Sequence, residues 1–298
     1  MLQGGEKIRS SIIDSANIEC RGISKSFKGK EVIKEASIEL TSGLNVIVGE
    51  NGAGKSTLFY IITGVLRPER GTVSLNGSDP WKHHKKAMRD VSFMPEKPSW
   101  LNGSSVREQI YWFASLSGTT SEKVMDYMDM FSISYLLNST VQSLSSGEQQ
   151  LLMLSCILGA NSSIYILDEP NSNIDIHKRS LVSDAIRKKS LEDGSLFFIS
   201  THLFDEILTI YDSILVMRSG IIKKYQRQHV EKYYSIIRTD GDNIIIGKIR
   251  EVDDKAFIRS GGIMTSLSLE KCNEIARNSG VQITSYLRIP SILGWLYE

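Results

Sequence analysis

A near-continuous apolar run, LNVIV at 44–48, leads directly into GENGAGKST at 49–57 and then into LFYIITGV at 58–65. The run lacks the alternation of a half-exposed strand and reads as a strand buried on both faces, followed by a glycine-rich turn and a helix. That order demands an α/β chain with a sheet covered on both sides. The spacing G-x-x-x-x-G-K-S adds chemistry to the fold. Gly49, Gly52 and Gly54 let the backbone curl until its N–H groups face phosphate oxygens. The helix opening at Lys55 brings its positive end, Lys55 neutralises the β- and γ-phosphates, and Ser56 offers a hydroxyl to Mg²⁺. Glu50, Asn51, Ala53 and Thr57 complete the phosphate-binding stretch. A plain glycine-rich turn is the alternative, but a chance match in a chain of this length is on the order of a percent.

Two further stretches bear on the same phosphate. SSIYILDEP at 162–170 is an apolar strand ending in two carboxylates. Neighbouring strand residues point to opposite sides, so Asp168 and Glu169 are expected to differ in role. Asp168 suits the Mg²⁺ shell beside Ser56, and Glu169 is left to orient or deprotonate an attacking water. LSSGEQQ at 144–150 runs into the dense apolar LLMLSCILGA. A helix opening at Ser145 or Ser146 presents free N–H groups and a hydroxyl, a second anion site; read alone it is an ordinary helix cap.

Around these motifs the chain divides into an extension over 1–16, a phosphate-loop α/β unit over 17–225, and a small C-terminal α/β appendix over 226–298. IECRGISKSF and EVIKEASIEL are strands joined by a KGK turn, the start of an antiparallel β subdomain. A helical insertion is expected over about 98–158, where Ser105 and Glu108 form a capping box and Val124, Tyr127, Met128 and Phe131 form one helical stripe. WKHHKKAMR at 81–89 reads as a solvated basic helix, since adjacent histidines share no helical face. FDEILTIY at 204–211 reads as a helix. In the appendix, NIIIGKIR and AFIRSG look strand-like, LEKCNEIARNSG helical, and VQITSYLRI again a strand.

A formal net charge of +1 provides no basic field, so no nucleic-acid partner is expected. Cys20, Cys156 and Cys272 are few and far apart, as in a reducing compartment. The amino end has no signal-peptide core, and no apolar run approaches the roughly 20 residues that span a bilayer. The expected location is therefore cytoplasmic, peripheral on the cytoplasmic face of the cell membrane if another chain supplies the spans.

Taken together, these motifs resemble the ATP-binding subunits of ATP-binding cassette (ABC) transporters over about residues 17–225. GENGAGKST is similar to that family's Walker A, LSSGEQQ to its signature, and IYILDEP to its Walker B with the following glutamate. SNID, with Asp175, is similar to its D-loop, ISTH places His202 at its switch histidine, and Phe27 stands where an aromatic stacks on adenine. The resemblance implies a P-loop ATPase core that binds ATP and Mg²⁺ and pairs with a second cassette, a homodimer being the simplest case. Each ATP would lie between Walker A of one chain and Ser145 and Gly147 of the other, with His202 on the γ-phosphate, while an integral membrane permease is driven by closure.

Two departures stand out. The signature has Ser146 for a glycine and Glu148 for a glutamine, while Ser145 and Gly147 are kept. In VSFMPEKP the usual Q-loop glutamine falls at Glu96, a carboxylate expected to sense Mg²⁺ beside the phosphates. Trp100 and Leu101 that follow either pack locally or receive a helix of the membrane subunit. Glu96 and the appendix point to the drug- or peptide-exporter branch, and export of a peptide, drug or hydrophobic solute is the function expected. An importer ATPase is the alternative, and a soluble cassette of translation or DNA repair fits less well.

Overall fold

The structure is a computed structural model, which describes residues 16–201, 211–227, 233–259 and 262–290. Two long strands open it, β1 (Ile18–Phe27) and β2 (Lys30–Leu40), paired antiparallel around the turn at Lys28 and Gly29. Both turn residues have positive φ, a conformation that Gly29 adopts without strain. The two-faced strand expected at LNVIV is β3 (Gly43–Val48), and α1 (Lys55–Ile62) follows the phosphate loop. β4 (Arg70–Leu75) returns to pair with β1, completing an antiparallel sheet in the order β2-β1-β4.

Next come the short α2 (His84–Ala87) and β5 (Val91–Met94). The basic helix expected over 81–89 is thus reduced to one turn. Asp79 Oδ1 accepts from the Trp81 and Lys82 amides and holds the preceding residues in a polar turn instead.

The helical insertion contains α3 (Val106–Ser117), α4 (Ser121–Met130) and α5 (Ser146–Gly159). Both halves of the Ser105/Glu108 capping box form. Val124, Met128 and Phe131 are fully buried, as their helical stripe requires. Then β6 (Ile164–Asp168), α6 (Ile176–Asp193) and β7 (Leu196–Thr201) alternate, followed by the hairpin β8 (Ser213–Arg218) and β9 (Ile221–Gln226). The six-stranded sheet runs β5-β6-β7-β3-β8-β9, parallel except for β9.

Both faces of the central strands β3, β6 and β7 are buried, and alternate residues serve different cores. Tyr165, Leu167, Phe197 and Ile199 join the side that carries α4, α5 and α6. Ile164, Ile166, Leu196 and Phe198 join the side that carries α1 and the antiparallel sheet. Tyr165 stacks on Phe197 with ring centroids 4.6 Å apart, and on the opposite face Phe59 meets Phe198 edge-on at 4.9 Å. This double packing makes the central strand ends rigid, and the phosphate loop leaves from one of them.

The C-terminal sheet is antiparallel and comprises β10 (Tyr233–Thr239), β11 (Phe257–Arg259), β12 (Gly262–Thr265) and β13 (Ile283–Pro290) in the order β11-β12-β10-β13. Helices α7 (Asp242–Arg250) and α8 (Leu269–Asn278) accompany it. The strand expected at NIIIGKIR is therefore a helix. Its β-branched run suggested a strand, but burial falls on Ile245 and Ile249, one helical turn apart, while Ile244 is exposed. Asp242 Oδ1 accepts from the amide and hydroxyl of Thr239 at 2.8 Å each, fixing the turn into that helix. Ile236 and Met264 reach from this sheet into the main core, so the unit is fastened to the six-stranded sheet by apolar packing.

Candidate nucleotide site

The phosphate loop borders a cavity of about 400 Å³, walled by Asn51, Gly52, Lys55, Ser56, Glu96 and Glu169 among others. Two loop glycines are forced by close packing. A Cβ on Gly49 would lie 2.6 Å from the Met217 carbonyl oxygen. Gly54 has φ 110, and a Cβ there would meet Val32 and Met217. Glu50 and Ala53 line the adjoining hollow of about 460 Å³ behind the loop. Thr57 faces the first cavity with Ser56.

Lys55 is buried. Its Nζ donates to the Gly49 carbonyl at 2.9 Å and stands 3.5 Å from Glu169 Oε1. The lysine is thus drawn back over the loop, directed at the space where a phosphate would sit. Asp168 ends β6 and is fully buried. Its Oδ1 accepts from Ser200 Oγ at 2.5 Å, while its Oδ2 has no hydrogen-bond partner among the described residues. A buried carboxylate oxygen left unsatisfied is costly unless a cation or donor completes it.

Strand alternation does not account for the contrast between the two carboxylates. The strand stops at Asp168, and Glu169 adopts a left-handed φ of 51. Its amide donates to Ser200 Oγ at 2.9 Å, and this turn places its side chain on the cavity wall beside Lys55. A non-glycine residue held this way is strained, and the surrounding bonds maintain it.

The residues that could take Mg²⁺ are Ser56, whose hydroxyl lines the cavity, and Glu96, an exposed carboxylate on the same wall, whereas Asp168, at the buried end of β6, does not itself line that cavity. No cluster of three or more His, Cys, Asp or Glu side chains that could hold a metal ion occurs among the described residues.

The remaining expected residues lie elsewhere. Ser145 is the exposed N-cap of α5, and Gly147 lies in the first turn. A Cβ on Gly147 would meet the Asn173 carbonyl oxygen at 2.6 Å, so the signature stretch packs directly on the D-loop. Asp175 caps α6 by accepting from the His177 amide at 2.9 Å. Phe27 is 45% exposed at the end of β1, with Lys25 Nζ 5.5 Å from its ring centroid. None of Ser145, Gly147, Asp175 and Phe27 lines the phosphate cavity. His202 and most of the helix expected at 204–211 lie outside the described residues. Trp100 packs against the core, whereas Leu101 is 57% exposed, so the two residues of that loop divide between the alternatives.

Three contributors went unread in the sequence. Gln150, buried in α5, donates to the carbonyls of Glu169 at 3.1 Å and Pro170 at 3.3 Å. It ties the signature helix to the turn that carries the second carboxylate. Its only signal was a polar residue at the head of an apolar run. Ser200, which holds both Asp168 and the Glu169 amide, sits at the end of an apolar strand. Val32 lines the cavity from β2, and no pattern singled it out.

Comparison with known proteins agrees with this geometry. The profile of the family described as "ABC transporter" matches residues 33–172. Two solved structures share the architecture. An ATP-binding subunit of an ABC transporter superposes with TM-score 0.65 at 23% identity, covering 72% of this chain and 91% of that one. A dimeric bacterial ABC transporter cassette gives 0.64 at 19%, covering 70% and 98%.

The fold is that of ABC transporter cassettes.

Two curated proteins are similar in sequence. The ribose import ATP-binding protein of Bacillus cereus is 29% identical over 216 residues, 68% of this chain and 43% of that protein. The present chain thus spans about two fifths of that relative's length. The molybdate/tungstate import ATP-binding protein of Methanocaldococcus jannaschii is 27% identical over 301 residues, 91% of this chain and 99% of that protein. Within the cassette, no described helix is long and apolar enough to cross a membrane.

Proposed function

We propose that this chain is the ATP-hydrolysing subunit of an ABC transporter, and that it works as one of two cassettes closing on shared nucleotide. The observation that carries this reading is the division of the site. Lys55, Ser56, Glu96 and Glu169 wall one cavity, whereas Ser145, exposed at a helix N-terminus, lies off it. An anion site turned away from its own phosphate cavity gains a purpose when a second cassette supplies the phosphate.

Each residue then has a task. Lys55 leaves its contact with Glu169 to meet the β- and γ-phosphates, and Glu169 aligns the water that attacks the γ-phosphorus. Ser56 and Asp168 would hold Mg²⁺ with Glu96 close by, and the ion would neutralise phosphate charge. Phe27 stacks on the adenine, and Asp175 with the D-loop spans the seam. His202 is assigned to the γ-phosphate on resemblance alone. The permease partner would meet the exposed apolar side chains Leu101, Tyr111, Trp112 and Leu116. That association would hold the cassette on the cytoplasmic face of the membrane.

Import is the better-supported direction, and the expected exporter assignment lacks support. The relatives whose names state a direction import ribose or molybdate and tungstate. The molybdate/tungstate relative matches 91% of this chain, a span that extends into the C-terminal unit, so that unit does not argue for export. Purified chain should cleave ATP only with Mg²⁺, and Glu169→Gln should reduce turnover at least about a hundredfold while still binding nucleotide. Co-purification of the integral membrane partner, followed by transport into and out of sealed vesicles, tests the direction. Absence of ATP cleavage would overturn the ATPase assignment, and undiminished turnover in Glu169→Gln would overturn the role given to Glu169.

A further inference from the structure

The signature stretch of this chain reads Leu144-Ser145-Ser146-Gly147-Glu148, and its last residue does more than cap a helix. Two bonds form the capping box: the Glu148 amide donates to Ser145 Oγ at 3.3 Å, and the Ser145 amide donates to Glu148 Oε2 at 2.9 Å. Two more lie outside that motif. The Ser145 hydroxyl donates to the same Oε2 at 2.7 Å, and the Tyr135 hydroxyl donates to Oε1 at 2.7 Å. Both carboxylate oxygens are therefore engaged, and the Ser145 proton is committed.

These contacts, the Ser145 hydroxyl first, hold the Glu148 carboxyl below its ordinary range, so it is charged at neutral pH. A serine hydroxyl has one proton, and one given to a carboxylate cannot also be given to a phosphate. At an isolated helix N-terminus a negative charge is welcome. Beside an incoming polyanion the same charge repels. Glutamine could make the same capping contacts without the charge.

We propose that Glu148 is an anionic gate on Ser145: its carboxylate holds the serine proton and opposes the partner cassette's triphosphate, thereby setting how readily two cassettes close. Closure requires the Ser145 hydroxyl to rotate from Oε2 to a phosphate oxygen while the two negative groups approach each other. Glu148 acts through Ser145 and through its field, so it is a positioning residue. The inference rests on the two-cassette reading.

The test measures ATP-driven dimerisation by sedimentation in a Glu169→Gln background, where nucleotide is not consumed, with and without Glu148→Gln. Glu148→Gln should tighten the dimer at least about tenfold at low salt, and the gap should narrow as salt screens the charge. Nucleotide affinity of the monomer should not change. Glu148→Ala should also tighten the dimer relative to Glu148 but lower the thermal midpoint, because the cap is lost; this separates charge from fold. A dimer that forms with ATP but is no tighter in Glu148→Gln overturns the gate and leaves the two-cassette reading intact. Failure of every variant, Glu148→Gln included, to dimerise with ATP overturns both.

Discussion

Lys55 Nζ stands 3.5 Å from Glu169 Oε1, and the two nearly buried side chains share one cavity wall. The lysine expected to meet a phosphate and the carboxylate expected to align the water thus neutralise each other across that wall. An arriving phosphate competes with Glu169 for the lysine, so binding and the release of Glu169 are coupled.

That competition gives the two residues opposite signatures. Glu169→Gln removes the competitor, and ATP affinity should hold or rise several-fold while turnover falls. Lys55→Ala removes a charge-assisted contact worth about 1.5–3 kcal/mol, so affinity should drop roughly ten- to hundredfold. Titration calorimetry on the two variants checks both expectations.

Asp168→Asn separates metal chemistry from stability. The asparagine retains an acceptor for Ser200 and removes a charge whose Oδ2 is buried without a partner among the described residues. The metal-free protein should therefore melt at the same temperature or higher. Hydrolysis should fall at least about a hundredfold, with the Mg²⁺ requirement moved to higher concentration. Differential scanning calorimetry beside a Mg²⁺ titration of activity reads the two effects independently.

Gly147→Ala should destabilise the chain by about 1–3 kcal/mol, since its new methyl group would press on the Asn173 carbonyl. Ser146→Ala, on an exposed position one residue earlier, should stay within about 0.5 kcal/mol of the parent. Urea denaturation of both variants tests whether the signature and the D-loop are packed as described.

Burial pushes the thiols of Cys20 and Cys156 up to about 12 from an ordinary value of 9.0. Below pH 9 the folded and unfolded chains both hold these protons, and the full stability is present. Above it the unfolded chain releases them first, so stability falls toward pH 12 by at most about 1.4 kcal/mol per pH unit for each thiol. Replacing both by alanine should lower stability near neutral pH but flatten that alkaline slope. In the native chain at pH 8 neither thiol should react with iodoacetamide.

Much of the site was legible because its chemistry is local. Gly49, Gly54, Lys55 and Ser56 sit within one turn of chain, and the apolar strands before the loop and before Asp168 announce themselves by composition. Gln150 and Ser200 were not legible. Each acts on backbone or side-chain atoms that are near in space but distant in sequence, and a lone polar residue beside an apolar run signals nothing by itself. Ile244, Ile245 and Ile246 misled for the converse reason: three β-branched residues favour a strand, but the surrounding packing buried one face at helical spacing.

Sequence by itself determined the phosphate loop, the two-faced sheet and the pairing of Ser105 with Glu108, because near neighbours and backbone sterics decide such features. Tertiary structure alone decided that Lys55 rests on Glu169, that Asp168 Oδ2 lacks a partner among the described residues, and that Ser145 lies off its own chain's cavity. Those facts depend on which strand ends converge, and that is set by burying both faces of the sheet at once.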